Sequence, residues 1–147
     1  MQTISLNPPL ARRGDWLQRA ALLLLCAAYL QGGFAKLGDF SAAQAEMRHF
    51  GLTPAGLIAA LVLTLELGAS VLVISGWWRW LGAAALAAFT LAANFMANRY
   101  WELNGMERFM AENGFYEHLG LVGGFLLVAG LDLRERVRLR VGARQPR

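Results

Sequence analysis

Residues 55–75 read AGLIAALVLTLELGASVLVIS, a stretch with one charge, Glu66, and a Thr53-Pro54 pair directly ahead of it. A helix rises ~1.5 Å per residue, so the stretch reaches about 30 Å, the thickness of a bilayer's hydrocarbon core. Three more stretches are built alike: Trp16 to Ala35, Trp80 to Ala97 and Phe115 to Leu131. Four spans in 147 residues leave no room for a sizeable water-soluble domain. The sequence predicts an all-α integral membrane protein, a bundle of four transmembrane helices that acts in or at the bilayer.

The composition, 56% hydrophobic and 16% charged, agrees with a single membrane domain. Its basic residues are segregated. Arg12, Arg13 and Arg19 precede or open the first span, and Arg134, Arg136, Arg138, Arg140, Arg144 and Arg147 follow the fourth. Arg79 separates the second span from the third. The positive-inside rule puts both termini and the Arg79 turn in the cytoplasm. The opposite loops set Lys36, Arg48, Arg99 and Arg108 against Asp39, Glu46, Glu102, Glu107, Glu112 and Glu117. The resulting division is a mostly irregular cytoplasmic leader (1–15), the bundle (16–133) and a basic cytoplasmic tail (134–147). That topogenic role accounts for the net charge of +4. The expected partner is the bilayer with its anionic lipids, and nucleic acid is not expected.

Arg12-Arg13 ahead of Leu22-Leu23-Leu24-Leu25 has the outline of a signal peptide. No small-x-small cleavage site follows: Tyr29-Leu30-Gln31 intrudes and the apolar run continues to Ala35. A retained first span is expected. The single cysteine, Cys26, lies inside that span, which excludes a thiol–disulfide relay within this chain.

Both outer loops carry helical patterns. In the first, Ser41-x-x-Gln44 has capping-box spacing, and Phe40, Ala43, Met47 and Phe50 recur with helical period before Gly51. In the second, Leu103, Met106, Phe109 and Met110 form an apolar stripe that Asn113-Gly114 is expected to end. Short amphipathic helices over the outer interface are predicted for both. Thr53 is expected as N-cap of the second span, with Pro54 in its first turn. Close helix approach in lipid needs small residues, which Ala28-x-x-x-Gly32, Ala84/Ala88/Ala92 and Gly120-x-x-x-Gly124 supply. Such faces serve internal packing or homo-oligomerisation.

An ionisable side chain in mid-membrane costs roughly 2.5–3.5 kcal/mol on insertion scales, so it is paired or functional. Glu66 is the clearest case. Tyr29, Gln31 and Lys36 on the first helix lie at overlapping depth with Glu66, as do Asn94 and Asn98 on the third and Glu117 and His118 on the fourth. Tyr29 and Lys36 share a face with Gly32, and Asn94 and Asn98 share another. Two readings stand. In one, these eight residues satisfy each other and hold the bundle together. In the other, they line an outward-facing pocket for a small polar-headed molecule such as a quinone, with His118 and Glu66 exchanging protons or holding carbonyl oxygens. A transmembrane proton path lacks polar groups beyond Glu66 toward the inner face.

Metal chemistry finds little support. His49 and His118 are the chain's only histidines, both on the outer side, and zinc needs more ligands. Nucleophile–base motifs and phosphate-binding glycine loops are absent from the sequence.

Four segments carry a family resemblance: Gly32-Gly33-Phe34-Ala35-Lys36-Leu37, Phe50-Gly51-Leu52-Thr53-Pro54, Leu65-Glu66-Leu67-Gly68-Ala69, and Phe115-Tyr116-Glu117-His118-Leu119-Gly120-Leu121-Val122-Gly123-Gly124. In their order and spacing the chain resembles the DoxX family of small bacterial four-helix membrane proteins, from about residue 16 to 133. The resemblance implies a multi-pass protein of the bacterial inner membrane. It also implies a link to membrane oxidoreductase systems, since the related DoxD subunit belongs to a thiosulfate:quinone oxidoreductase. Lys36, Glu66, Glu117 and His118 are the polar positions in the matching segments. The expected function is an accessory or quinone-interacting subunit beside a membrane or soluble oxidoreductase partner, not an enzyme on its own. The competing expectations are a non-enzymatic anchor or assembly factor and a lipid- or small-molecule-binding bundle.

Overall fold

A computed structural model describes the backbone of residues 10–142 and the side chains of residues 16–141. Arg144 and Arg147 of the basic tail, and residues 1–9 of the leader, lie outside the described residues. Among the described residues all regular structure is helical: α1 (Leu10–Gly38), α2 (Phe40–His49), α3 (Ala55–Ser75), α4 (Arg79–Ala97), a 3-10 turn (Tyr100–Glu102) and α5 (Gly105–Gly142). Four helices, α1, α3, α4 and α5, are long and apolar enough to cross a membrane. Leu24, Leu61, Val71 and Leu127 are exposed on them at mid-length, a surface suited to lipid. The four spans return the chain to the side from which it started.

The spans pack in the order α1, α3, α4, α5, with α5 lying chiefly along α4, approaching α1 at few points and, among the described residues, α3 at none. Cys26, Val73, Leu86 and Phe125 are fully buried at the centre of the main core. The inner turn between α3 and α4 is tightly tied. Gly76 ends α3 with φ 83°, a left-handed conformation that favours glycine. The Arg79 Nε–H donates to the Val73 carbonyl at 3.0 Å, satisfying an orphan acceptor of the α3 terminus. At the start of α4 the cap comes from another helix: the Trp80 N–H donates to Asp132 Oδ2 of α5 at 3.2 Å. That same oxygen accepts from Arg136 at 2.7 Å. Two residues further on, a Cβ at Gly82 would stand 2.6 Å from the Ala69 carbonyl oxygen and 2.8 Å from Leu72 Cβ. Only glycine lets the α3 and α4 backbones come this close.

Several local expectations change. α1 starts at Leu10, so residues 10–15 of the leader are helical rather than irregular. The cap of α2 is Asp39, not Ser41. Its carboxylate accepts from the Ala42 N–H at 2.9 Å and from the Ser41 hydroxyl at 2.8 Å. Those two bonds, the backbone one first, hold the Asp39 carboxyl below the usual carboxylate range. Pro54, not Thr53, takes the N-cap position of α3 and gives it no side-chain bond. The second outer segment is helical as expected but runs straight through Asn113-Gly114 into the fourth span. At ~1.5 Å per residue, the 38-residue α5 is about 57 Å long, more than the roughly 45 Å of a bilayer with its headgroups. The Ala84/Ala88/Ala92 stripe is not the packing face of α4: Ala88 and Ala92 are exposed, and Gly82, Ala83, Leu86 and Ala87 are buried instead. In the last glycine pair, a Cβ at Gly124 would meet Leu25 at 3.1 Å, whereas Gly120 faces open space.

Candidate functional site

The core stops short of the outer end of the bundle. Above Phe125 and Leu86 lies a half-open cavity of about 390 Å³ lined by α1, α3, α4 and α5, with α2 over it. α2 stays in place because its apolar face, Ala43 and Met47, packs on Ala59 of α3, flanked by Leu52, Ala55, Ile58 and Val62. This is the burial that the amphipathic spacing in the first outer loop requires. Met47, Phe50 and Leu52 form the cover, Val62, Phe89, Met96 and Leu121 the apolar walls, and Ala28, Ala92, Ala93 and Ala97 leave room between them. A smaller hollow of about 270 Å³ adjoins on the outer side, sharing Phe50, Met96 and Ala97 and adding His49, Arg99 and Glu102.

The polar lining comes from Tyr29, Lys36, Glu46, Glu66, Thr90 and His118. Lys36, two residues from the end of α1, reaches back so that Nζ lies 3.3 Å from Glu66 Oε1 and 3.9 Å from Glu46 Oε2. Both members of the inner pair are largely withdrawn from solvent, with side-chain exposures of 14% and 8%. Glu66 Oε2 has no hydrogen-bond partner among the described residues. Gly32 lies against the pair: a Cβ there would meet Lys36 Nζ and Glu66 Oε1 at 3.5 Å, ordinary van der Waals contact. At the floor, the Tyr29 hydroxyl is hydrogen-bonded to Thr90 Oγ1, joining diagonally opposed helices, and the ring meets Phe125 edge-on at 5.4 Å. Thr90 in turn donates to the Leu86 carbonyl at 2.6 Å. On α5, His118 Nδ1 stands 2.6 Å from the Gly114 carbonyl oxygen.

The eight residues singled out by sequence separate into three groups. Tyr29, Lys36, Glu66 and His118 converge on the cavity. Asn94 and Asn98 do not line it. Asn94 is buried and donates to the Phe115 carbonyl at 3.0 Å, and Asn98 donates to Asn94 Oδ1 at 2.8 Å, so the two tie α4 to α5. Gln31 and Glu117 are exposed on the outside of the bundle. Two contributors were overlooked. Thr90 precedes Asn94 and Asn98 at spacing four, so the polar face of α4 was one residue longer than read. Glu46 lies two turns from Asp39 in an outer helix, where a carboxylate reads as solvated; nothing local in the sequence points it at Lys36. Buried Ser70, beside the Cys26 thiol, is the last polar step below Glu66 before apolar packing takes over.

Fold and cavity together define a four-span membrane bundle, closed at the end of the α3–α4 turn and hollow at the end that α2 covers, with a buried lysine–glutamate pair in the hollow. The chain belongs to the DoxX family: the family model matches residues 20–99, just over half of the chain. That match covers α2, α3, α4 and most of α1, and thus Tyr29, Lys36, Glu46, Glu66 and Thr90; α5 with His118 lies beyond it. No curated protein and no solved structure matches the chain.

Proposed function

We propose that this protein is an accessory, quinone-interacting subunit of a membrane oxidoreductase system of the bacterial inner membrane, with both ends in the cytoplasm. The observation that carries the reading is the cavity: apolar walls of aromatic, methionine and aliphatic side chains meet a polar end formed by Lys36, Glu66, Tyr29 and His118. A volume of about 390 Å³ falls within the usual range for small-molecule sites, roughly 300–1,000 Å³. A planar ring with oxygen substituents matches such walls and such an end. The chain supplies binding and orientation, and the electron donor or acceptor belongs to a partner. Asn94 and Asn98 tie α4 to α5 and do not line the cavity, so the structural account of the polar residues applies to them, whereas Tyr29, Lys36, Glu66 and His118 face the hollow as well as bonding within the protein.

The test is the organic extract of the protein purified from its own membranes under mild conditions. An isoprenoid quinone near one per chain, lost in His118→Ala and in Glu66→Gln while the thermal melt survives, is the expected result. A wild-type extract containing only phospholipid would overturn the reading in favour of a lipid-binding or purely structural bundle.

A further inference from the structure

The direction of each hydrogen bond around the cavity can be assigned by counting protons. The Leu86 carbonyl can only accept, so the single hydroxyl proton of Thr90 points to it. The Tyr29–Thr90 bond must then be donated by the tyrosine, which leaves the phenol oxygen with only lone pairs to offer. The Gly114 carbonyl likewise fixes the proton of His118 on Nδ1, so in the neutral ring Nε2 is a bare acceptor. Glu66 and Glu46 add carboxylate oxygens, one of which, Glu66 Oε2, is buried and has no donor among the described residues. Against these stands one donor group among the described lining side chains, the Lys36 ammonium, which gives one N–H to Glu66 at 3.3 Å and lies 3.9 Å from Glu46.

The polar end of the cavity is therefore rich in acceptors and short of donors. We infer that its ligand is a hydrogen-bond donor, and, resting on the quinone reading above, that the site holds the reduced dihydroxy-aromatic form in preference to the quinone. A quinol offers an O–H at each para position to these acceptors. A quinone offers only carbonyl oxygens, for which Lys36 is the one donor among the described lining side chains, so an oxygen turned toward Tyr29 or His118 is left unpaired.

The protein in lipid nanodiscs is titrated with three probes: ubiquinol-1 kept reduced, ubiquinone-1, and 4-hexylresorcinol, a hydroxyl donor that is not a quinol. The expected result is that ubiquinol-1 binds at least about tenfold more tightly than ubiquinone-1, and that Tyr29→Phe and His118→Phe, checked for an unchanged melt, narrow the ratio toward one. Equal binding of the two, or tighter binding of ubiquinone-1, overturns this inference and leaves the quinone reading standing. Binding of hexylresorcinol alone supports the donor inference and removes the quinone reading. Failure of all three overturns both. The wild-type ratio decides the matter even where a variant does not fold.

Discussion

Between the layer of Val73, Leu86 and Phe125 and the layer of Glu66, Thr90 and His118, one or two helical turns further out, the packing changes character. In the inner layer large side chains are buried to completion and helix backbones come close enough to exclude a Cβ at Gly82. In the outer layer Val62 of α3 and Phe89, Ala93 and Met96 of α4 face a cavity, and α2 forms its cover. The cause is the connection between the two helices. α3 and α4 are joined by a short inner turn, which Gly76, Arg79 and Asp132 hold, so their inner ends are fixed together. Their outer ends have no such tie and are free to flank a ligand. A bundle stitched at one end can keep its fold while holding a hollow at the other.

This contrast predicts that inner changes move stability and outer changes move binding, with one instructive exception. The largest effect is expected at Lys36. Lys36→Met strands Glu66 in a buried site and should cost about 3 kcal/mol, since breaking a buried pair is worse than lacking it. Adding Glu66→Met should restore most of the thermal stability while abolishing ligand retention. A double variant no more stable than the single one would mean that the pair itself holds the outer half together.

Next comes Gly82→Ala. It forces α3 and α4 apart and should cost roughly 1–3 kcal/mol in a denaturant or thermal melt, with ligand affinity in the surviving folded fraction unchanged. Asp132→Ala removes the cap that α5 lends to α4 and the partner of Arg136, an expected loss of about 1–2 kcal/mol. An unchanged melt would show that the inner turn needs no help from α5.

The smallest effect concerns pH. The Asp39 carboxyl sits below its ordinary range, so its cap on α2 is fully in place above the unfolded-state value and is lost as pH falls through the lowered one. Protection of the Ala42 amide against hydrogen exchange, taken relative to the intrinsic rate at each pH, should fall in that acid window in the wild type. In Asp39→Asn, whose cap carries no titratable proton, that protection should not change with pH.

The spans were legible because twenty-residue apolar runs allow few alternatives, and α2 because its apolar face repeats with helical period. Less visible was which of two competing local signals wins. Asn113-Gly114 looks like a helix end, yet Gly114 lies against the Asn98 side chain and its carbonyl is bound by His118, so tertiary contacts carry the helix through. The alanine stripe of α4 does not mark its internal packing face because spacing alone does not say which face meets α3; Gly82, one glycine among sixteen in the chain, decides it. Within the site, residue type and depth found Lys36, Glu66, Tyr29 and His118. They also drew in Gln31 and Glu117, whose helical phase turns them outward. Glu46 was out of reach, since its role depends on how α2 folds back over α3.

The most direct test of the two-ended account is native mass spectrometry of wild type, Gly82→Ala and His118→Ala, each extracted gently from its own membranes and melted in parallel. The account predicts a quinone-sized adduct on wild type and on folded Gly82→Ala, none on His118→Ala, and a lowered melting temperature for Gly82→Ala alone. A wild type carrying only phospholipid, or a His118→Ala protein that keeps the adduct, would contradict it.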